Sequence, residues 1–547
     1  MSRSWVARCL VAAALLVVAA FAGGVGTAST GGGIPLPPGW PGHLLIGMSD
    51  PENGAADLRA GAPLEARYHY LSGGVNTNQG WLTWAQGDGS FVTNYIADSA
   101  ASSFMPVFSL YEIRPSLPGI KNADEAAGDL LNLRTKATMR AWFAELRTFF
   151  DRASAAGGPV VLHVEPDLWG YIERAAHGDS AASVPVQVAA TGFADLKGLA
   201  NNAAGLAQAI VHMRDLYAPN VILGYHVSVW GTGEDISRSD PTDAHVDELA
   251  AQSAAFYRSL DANFDVLFAE FADRDSGYAV TVDHDGGEAW WEASDFARHA
   301  RYLADLSRAL SKRVVLWQIP LGNRVMRADD NTKFHYQDNR VEWLLGLQSR
   351  AHLTAYINAG VIGLLFGKAQ PNDTCACDDA HDGVTNPAAI DGNLTGSLSA
   401  DDDGGYFKRQ ATAYYHDGPL AIPAAVTRPA KATHRRHAPV LRVSASTSRA
   451  SIKRGQRLFI DINVTSKGPA KALVAVQLFP PGAKRAAYQL PFRNQRFHDG
   501  RRRTLRLRFN VPRAAPTGQW VVKVGVFDPD WKRLYLWTEH AAQFTVR

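Results

Sequence analysis

Eight short apolar segments with the composition of β-strands recur along most of the chain and alternate with helical segments. Strands that alternate with helices predict repeated βαβ units and a parallel sheet, and eight parallel strands is the number that closes a barrel. The predicted strands are 43–47, 67–71, 104–111, 159–165, 221–226, 265–270, 313–318 and 361–366. We therefore expect an α/β fold, a (β/α)8 TIM-type barrel over residues 42–422. An open doubly wound sheet is the alternative, but no Gly-rich phosphate loop follows the first strand.

The pattern changes after the predicted barrel. A Pro-, Lys- and Arg-rich stretch over 423–439 predicts an exposed linker. Residues 440–547 then show short alternating apolar runs separated by turn residues, which predicts a smaller all-β, immunoglobulin-like sandwich. Two domains also suit a length of 547 residues, which is too long for one ordinary core.

The first residues predict export. Residues 1–29 contain two arginines, an apolar run and then small residues, the order of a secretory signal peptide. A retained membrane anchor is the alternative, although the run is short for a full span. We expect a secreted, extracellular protein, and a monomer because no oligomer signature is visible. Without the signal, only Cys375 and Cys377 remain, as a small disulfide, as free thiols or as part of a metal site.

Carboxylates follow two of the predicted strands, where a barrel places its reacting groups. The fourth strand runs into Glu165 and Asp167, and the sixth ends in Glu270, with Asp273 just beyond. Glycosidic cleavage needs two carboxyl groups, one to protonate the leaving oxygen and one to attack or to activate water. We predict Glu165 and Glu270 as this catalytic pair, and Asp167 and Asp273 as the carboxylates that would replace them. Pairing with an arginine or capping of the next helix is the structural alternative for each.

Side-chain alternation along a strand sharpens this prediction. If Glu165 faces the barrel mouth, His163 and Asp167 share its side. If Glu270 faces the mouth, Phe268 and Ala272 share its side, and Asp273 points the other way. Asp273 lies past the strand, however, where loop geometry can override the alternation.

Aromatic and polar residues near the strand ends are candidates for sugar binding, since indole rings stack on sugar rings and amides hydrogen-bond hydroxyl groups. For any single tryptophan, core packing is the competing interpretation. The candidate substrate-binding residues are Trp169, His226, Trp230, Trp317, Gln318 and Asn323.

Neither a metal nor a cofactor is expected. The acidic loops 283–285, 373–382 and 401–403 could supply oxygen ligands for calcium, but they lack the spaced EF-hand pattern and are expected to be solvated. The chain has no Gly-x-Ser-x-Gly elbow, no His-Glu-x-x-His and no phosphate-binding P-loop, which argues against esterase, metalloprotease and kinase functions.

With these residues in place, the chain resembles the secreted glycoside hydrolase barrels over about 42–422. The string Val164-Glu-Pro-Asp167 resembles a motif of the family six cellulases, but that family's other strings are missing, so its catalytic residues are not carried over. The retaining barrels with paired glutamates place a nucleophile on the seventh strand, where this chain has Gln318. Carboxylates after strands four and six resemble the layout of the α-galactosidase-like barrels.

The segment 519–546 is similar to β-sandwich modules appended to secreted carbohydrate-active enzymes. These resemblances imply a secreted glycoside hydrolase acting on a polysaccharide or oligosaccharide. A non-catalytic glycan-binding surface protein and a polysaccharide lyase are the alternatives; a lyase would use a base such as His226. The formal net charge is only +2, so nucleic acid is not an expected partner. The basic stretches 435–436 and 501–508 allow association with an acidic cell-wall polymer, or serve as a solvated strand surface.

Overall fold

The structure is a computed structural model, and it describes residues 33–178, 180–346, 349–368, 370–385, 395–429, 440–467, 470–483, 485–498, 500–529, 531 and 533–547. The predicted signal peptide, 1–29, lies outside the described residues. Among the described helices, none is both long enough and apolar enough to cross a membrane.

Eight parallel strands form a closed barrel in chain order, in which the first strand pairs with the second and also with the eighth. The predicted (β/α)8 barrel is therefore confirmed, and the open sheet is excluded. Most of the strands are mainly apolar and buried on both faces, as expected where helices cover a parallel sheet, whereas β2 carries Arg67 and His69 and is partly exposed toward its end. The strands are β1 (Leu45–Ser49), β2 (Ala66–Ser72), β3 (Met105–Tyr111), β4 (Val160–Val164), β5 (Val221–Val227), β6 (Val266–Glu270), β7 (Val314–Ile319) and β8 (Val361–Phe366).

The helices that follow these strands pack against the outside of the barrel. Their apolar side chains and the outward-facing side chains of the strands form the larger apolar core. The helices are α1 (Ala55–Gly61), α2 (Ser90–Ala101), α3 (Glu125–Arg134), α4 (Lys136–Ala153), α5 (Leu168–Ala176), α6 (Ala203–Tyr217), α7 (Asp243–Ser259), α8 (Ser276–Tyr278), α9 (Ala293–Leu310), α10 (Arg340–Leu345), α11 (Ser349–Asn358) and α12 (Tyr406–His416).

A second apolar cluster fills the barrel interior and positions the site above it. On β6 the side chains of Val266 and Phe268 point inward, and alternation brings Glu270 to the same side at the end of the strand. On β5 the inward position next to Phe268 is Gly224, where an added Cβ would lie 2.4 Å from the Phe268 ring. Because Gly224 leaves that space open, the Phe268 ring fits across the barrel below the site.

The C-terminal region folds into two antiparallel sheets around its own core, so the predicted all-β domain is confirmed. One sheet has five strands in the order β10-β16-β15-β12-β13, with β10 parallel to its neighbour, and the other has three in the order β14-β11-β9. The strands are β9 (Val440–Thr447), β10 (Ser451–Ile452), β11 (Arg457–Lys467), β12 (Ala470–Phe479), β13 (Tyr488–Phe497), β14 (Arg502–Asn510), β15 (Gly518–Phe527) and β16 (Leu534–Val546).

The C-terminal domain packs on the segment that follows β6. Val280 and Trp290 of that segment join Phe527, Leu534 and Trp537 of the sandwich in one buried cluster, together with Leu473 and Ala475. Arg533 donates hydrogen bonds to Glu292 Oε1 at 2.9 Å and to the Gly287 carbonyl at 2.8 Å. The contact between the domains is therefore both apolar and charged.

The predicted linker over 423–439 is described only as far as 429, and this part contacts the barrel. Arg313 donates to the carbonyls of Pro423 and Ala424, and Arg428 forms an ion pair with Asp305 at 2.7 Å. The described part of the linker, residues 423–429, is therefore held to the barrel by hydrogen bonds and an ion pair, although several of its side chains are exposed.

Candidate active site

Three side chains from three consecutive strand ends converge at the mouth of the barrel. Asp167 follows β4, His226 lies near the end of β5, and Glu270 ends β6. Each offers an oxygen or nitrogen atom, and these atoms all lie within 4.8 Å of one another. The carboxyl ends of barrel strands are where enzymes of this fold hold their reacting groups.

Glu270 is the buried carboxyl of the group, with 5% of its surface exposed. Its Oε1 accepts a hydrogen bond from the Val229 amide at 3.2 Å, and its Oε2 contacts His226 Nε2. Burial raises the pKa of Glu270 well above its ordinary value, and the nearby charges of Asp273 and Asp235 raise it further. A carboxyl group in this environment retains its proton at neutral pH.

Asp167 is the partly exposed carboxyl of the group. It has a φ of +69°, a left-handed conformation that a non-glycine residue seldom adopts and that occurs preferentially at functional sites. Burial raises the pKa of Asp167 to about 7; His226 opposes this shift, whereas Glu270 and Asp273 add to it. Within the described part of the chain, no side chain hydrogen-bonds to the Asp167 carboxylate, so its oxygens are available to a ligand.

A column of buried polar side chains descends from Glu270 into the barrel. His226 Nδ1 lies 3.0 Å from His163 Nε2, and His163 Nδ1 lies 3.2 Å from Ser109 Oγ. The His163 ring also stacks on Phe268, with 4.1 Å between ring centroids. Burial lowers the pKa of His226 to about 4 and that of His163 well below its ordinary value.

Both imidazoles are therefore neutral at pH 7. A neutral imidazole has one donor and one acceptor nitrogen. If Glu270 is protonated and donates to His226 Nε2, then His226 Nδ1 donates to His163 and His163 Nδ1 donates to Ser109. If Glu270 is ionised, each of these bonds reverses its direction. The protonation of Glu270 is thus coupled to the tautomers of both histidines.

A rim of phenol and amide groups surrounds the carboxylates, and its amide, Gln318, was predicted from the sequence to bind substrate. Tyr111 donates a hydrogen bond to Glu125 Oε1 at 2.9 Å, and Gln318 Nε2 donates to the Tyr70 hydroxyl. Gln318 has a φ of +53°, so it too adopts a left-handed backbone at this end of the barrel. The alternation of side chains along β2 and β3 indicates that Tyr70 and Tyr111 face the barrel mouth. No feature of the sequence indicates that Glu125, which belongs to α3, also lies there.

Glu165, predicted as one of the catalytic pair, is turned away from the mouth. Its φ is +45°, and its carboxylate accepts hydrogen bonds from Trp142 Nε1 at 2.6 Å and from the amides of Glu112 and Ile113. Trp142 belongs to α4 on the outside of the barrel. Only 1% of Glu165 is exposed, so it holds the β3–β4 loops together and does not meet a substrate.

Asn323 and Trp169, predicted to bind substrate, are structural in this fold. Asn323 is fully buried and donates to Asp329 Oδ2 at 2.7 Å and to the Asp403 carbonyl at 2.9 Å, while its Oδ1 accepts from two amides. Trp169 is buried, donates to the Val164 carbonyl and packs on Tyr225. Neither side chain has an atom or face left for a sugar.

Three other predicted residues lie at or below the mouth. Trp317 is buried beside His163 and His226 and forms the floor of the site. Trp230 is partly exposed, packs against Tyr171 with 4.8 Å between ring centroids, and lines a small cavity together with Asp273 and Glu270. Asp273 is exposed beyond β6. Trp230 and Asp273 are thus placed where a ligand at Glu270 would pass.

A larger cavity of about 760 Å³ lies beside this site, between α5 and α7. It is lined by Glu173, Arg174, Gln252 and Phe256 among others, but by neither Asp167 nor Glu270. We therefore locate the site by the convergence of its carboxylates and not by cavity size.

Two groups among the described residues have the composition of a metal site. One is Asp167, His226 and Glu270, in which the His226 nitrogen already contacts the Glu270 carboxylate. The other is Cys375, Cys377 and Asp379, in which the two cysteines form a disulfide. The disulfide removes the thiolates that a metal would need.

The acidic loops are more structured than the sequence analysis predicted. Asp373, Asp402 and Asp403 are buried, and Asp403 accepts hydrogen bonds from the amides of Gly405 and Phe407. Asp373 pairs with Arg274 at 3.1 Å. The expectation of a solvated acidic loop is therefore wrong for these three aspartates.

No protein-family model and no curated protein matches the chain. Among solved structures, the chain is similar to a calcium-binding mutant of Bacteroides uniformis β-glucuronidase 2, at 7% identity and a TM-score of 0.33 over 92% of this chain and 46% of that one. It is also similar to a Listeria innocua β-glucosidase, at 12% identity and a TM-score of 0.18 over 55% of this chain and 38% of that one. The C-terminal domain of Wzt matches 20% of this chain and 80% of its own, at 10% identity and a TM-score of 0.17.

Glycoside hydrolases are thus among the solved structures to which this chain is similar, and the chain spans less than half the length of the two named above.

Proposed function

We propose that this protein is a secreted glycoside hydrolase that cleaves O-glycosidic bonds of a polysaccharide with retention of anomeric configuration. One observation carries the proposal: Asp167 and Glu270 present carboxylate oxygens within 4.8 Å of each other at the barrel mouth. Retaining glycosidases hold their two carboxyl groups about 5–5.5 Å apart, and inverting ones about 6.5–9.5 Å. An oxygen–oxygen approach within 4.8 Å lies on the retaining side of this division.

The two carboxyl groups differ in environment, and the difference assigns their roles. Glu270 is buried, and its raised pKa keeps it protonated, which suits the general acid. Asp167 is partly exposed, has free oxygens and has a pKa of about 7, so that a large fraction is ionised at neutral pH. Asp167 is therefore the nucleophile. This pair replaces Glu165 and Glu270, the pair that the sequence predicted.

In the first step, an Asp167 oxygen forms a bond to the anomeric carbon while the bond from that carbon to the leaving oxygen breaks. The Glu270 proton passes to the leaving oxygen. As Glu270 becomes ionised, the Val229 amide, which donates to Glu270 Oε1 at 3.2 Å, stabilises the charge that forms within a buried site.

In the second step, a water molecule enters where the leaving group was. The Glu270 carboxylate takes a proton from this water, whose oxygen attacks the anomeric carbon and releases Asp167. Two successive inversions give net retention. The partly exposed rings of Trp230 and Tyr171 supply flat faces beside the pair for sugar stacking.

We would test the proposal by following reducing-end release from a panel of plant, fungal and bacterial polysaccharides by the wild type, Asp167→Asn and Glu270→Gln. The expected result is release by the wild type and its loss in both variants. A proton NMR time course of the first product formed should show the anomer of the substrate. An inverted product would refute Asp167 as nucleophile.

One control variant and three alternative outcomes separate this proposal from its competitors. Asp273→Asn removes a nearby exposed carboxylate that takes no part in the bond changes, and at its own pH optimum it should keep most of the activity. Release of a product with a new carbon–carbon double bond, detected by its short-wavelength ultraviolet absorbance, would identify a lyase instead. Retention of glycan in pull-downs without any release would identify a binding protein, and activity lost on chelation and restored by a divalent metal would assign the three-residue group to a metal.

A further inference from the structure

The two domains carry opposite charge. Residues 440–547 contain 21 Lys and Arg and five Asp and Glu, while residues 1–439 contain 34 Lys and Arg and 48 Asp and Glu. The small net charge of the whole chain therefore hides a strongly basic sandwich attached to an acidic barrel. A concentration of one sign of charge on one domain attracts ligands of the opposite sign.

The three-stranded sheet displays much of this positive charge on one face. Alternation buries Leu458, Ile460 and Ile462 of β11 in the sandwich core and directs the residues between them outward. The register then brings outward residues of β9 and β14 beside them: Arg442 and Arg502 flank Thr465. We call the exposed arginines of this sheet, Arg442, Arg457, Arg502, Arg506 and Arg508, the basic face.

Most of the basic face lacks a counter-charge. Asp461 is the acidic residue on it, and Arg506 donates to both Asp461 oxygens at 2.6 and 2.7 Å. Arg502 and Arg457 donate to asparagine side chains. Within the described chain, Arg442 and Arg508 form no ion pair. Several like charges on one face of a sheet repel one another, so an anionic ligand would relieve this repulsion.

Protection of sheet edges does not account for the whole face. Charged residues on edge strands discourage pairing with other chains, and this explains arginines on β9 and β14, which are the two edges. Arg457 begins β11 before Ile460, the residue at which pairing with β9 starts, so edge protection explains this arginine as well. Phe459, also on β11, is 38% exposed beside Arg508 and Arg506 of β14. Edge protection gives no reason for an exposed aromatic ring among arginines, whereas a ligand-binding surface does.

We propose that the basic face binds a carboxylate-bearing polysaccharide. The Arg506–Asp461 pair already shows on this face the two-bond geometry by which a guanidinium recognises a carboxylate. Hydroxyl and amide groups at Ser444, Asn463 and Thr504 form a row between the arginines and can hydrogen-bond sugar hydroxyls. The choice of a polysaccharide over other polyanions rests on the proposed function. Single-stranded nucleic acid would need several stacking rings, and the face has one.

The test is affinity electrophoresis of the full chain through gels that contain sodium polygalacturonate, with neutral dextran as the comparison polymer. The wild type should be retarded by polygalacturonate and not by dextran, and the retardation should weaken as salt rises. The variant Arg442→Thr, Arg502→Thr, Arg508→Thr should lose at least about 10-fold in affinity, since three charge contacts are removed together. Circular dichroism would confirm that it is folded.

A matched variant, Lys453→Thr, Arg513→Thr, Arg547→Thr, removes the same charge from exposed positions outside β9, β11 and β14. It should bind polygalacturonate as the wild type does; equal losses in both variants would overturn the proposal in favour of net charge alone. A third variant with lysine at 442, 502 and 508 keeps the charge and should still bind more weakly than the wild type. Equal or tighter binding of duplex DNA or polyphosphate would assign the face to another polyanion.

Hydrolysis measured in parallel separates this proposal from the proposed function. If Glu270→Gln loses hydrolysis but retains retardation by polygalacturonate, both proposals stand. If no substrate is hydrolysed and retardation persists, the proposed function fails and the basic face stands. If retardation is absent while hydrolysis is present, the basic face fails alone.

Discussion

The ends of β4 and β6 carry glutamates that look equivalent in the sequence and differ completely in the structure. Glu270 follows the alternation of β6 into the barrel mouth, where it contacts His226. Glu165 sits one residue past β4, and a φ of +45° turns its carboxylate outward to Trp142 and two backbone amides. Asp167, two residues further along, takes the place that Glu165 was predicted to hold.

The difference shows where the alternation of side chains along a strand predicts the direction of a side chain. Alternation is a property of extended backbone, and it ends at the first residue with a left-handed φ. Both Glu165 and Asp167 have positive φ, so the chain after β4 reorients every side chain that follows. A carboxylate within a strand can be placed by parity, while one just beyond the strand cannot.

The largest effect should come from exchanging the two glutamates for glutamine one at a time. Glu270→Gln removes the proton donor and should lower kcat by about 10²–10⁴-fold, the usual contribution of general acid catalysis. Glu165→Gln places an amide among three hydrogen-bond donors and should cost about 1–3 kcal/mol of unfolding free energy. We expect its kcat per folded molecule to stay close to wild type, as measured by initial rates and chemical denaturation.

The Glu165 variant has a second readout in the pH dependence of stability. Burial raises the pKa of Glu165 to about 8 in the folded chain, from an ordinary value of 4.5. Between these two values the folded chain binds a proton that the unfolded chain has released, so stability falls as pH rises through this window. The free energy of unfolding of Glu165→Gln should therefore fall less steeply with rising pH than that of the wild type. An unchanged slope would count against the buried position of this carboxyl.

A smaller effect is expected in the pH–rate profile. Asp167 must be ionised to attack, so kcat/KM should rise with pH through about 7, the pKa to which burial raises this carboxyl. The rate should fall at higher pH as Glu270 loses its proton. The charge of Asp273 raises the pKa of both carboxyls, so Asp273→Asn should move both limbs of the profile to lower pH. Shifts in opposite directions would contradict this assignment.

The smallest effect should come from His163, which reaches Glu270 only through His226. His163→Phe preserves the ring stacked on Phe268 and removes the nitrogen beside His226. We expect a drop of about 10-fold or less in kcat together with a shift of the alkaline limb, because His226 loses its partner in the column. A matched change at the other stacked ring, Phe268→Leu, should lower stability without moving that limb.

The barrel could be predicted from the sequence because its strands are buried on both sides and are therefore continuous apolar runs. Val361–Phe366 and Val221–Val227 are such runs, and their limits in the structure agree with the sequence to within a residue. In the sandwich, β11, β12, β14, β15 and β16 were recognisable by alternation. Strand β13 was not, because its Pro491 and exposed polar residues break the pattern at a sheet edge.

The site could be predicted only in part. Glu270 and His226 lie within strands, and both were identified. Asp167 was identified as a reserve, because nothing in the sequence reports its backbone conformation. Glu125 reaches the rim from α3, a helix distant in sequence from both β4 and β6, so only the folded chain brings it there. The Cys375–Cys377 bond was one of three alternatives that the spacing left open.

Arg533 connects the sandwich to the barrel through Glu292 and the Gly287 carbonyl, within the segment that follows β6 and begins just after Asp273. Val280 and Trp290 of this segment are buried in part by sandwich side chains. A chain cut after the barrel would leave these two side chains without that cover and would leave the segment beside the proposed acid without its support. For anyone engineering this protein, the sandwich is consequently not a detachable tag, and swapping it for another binding module should begin by rebuilding that surface.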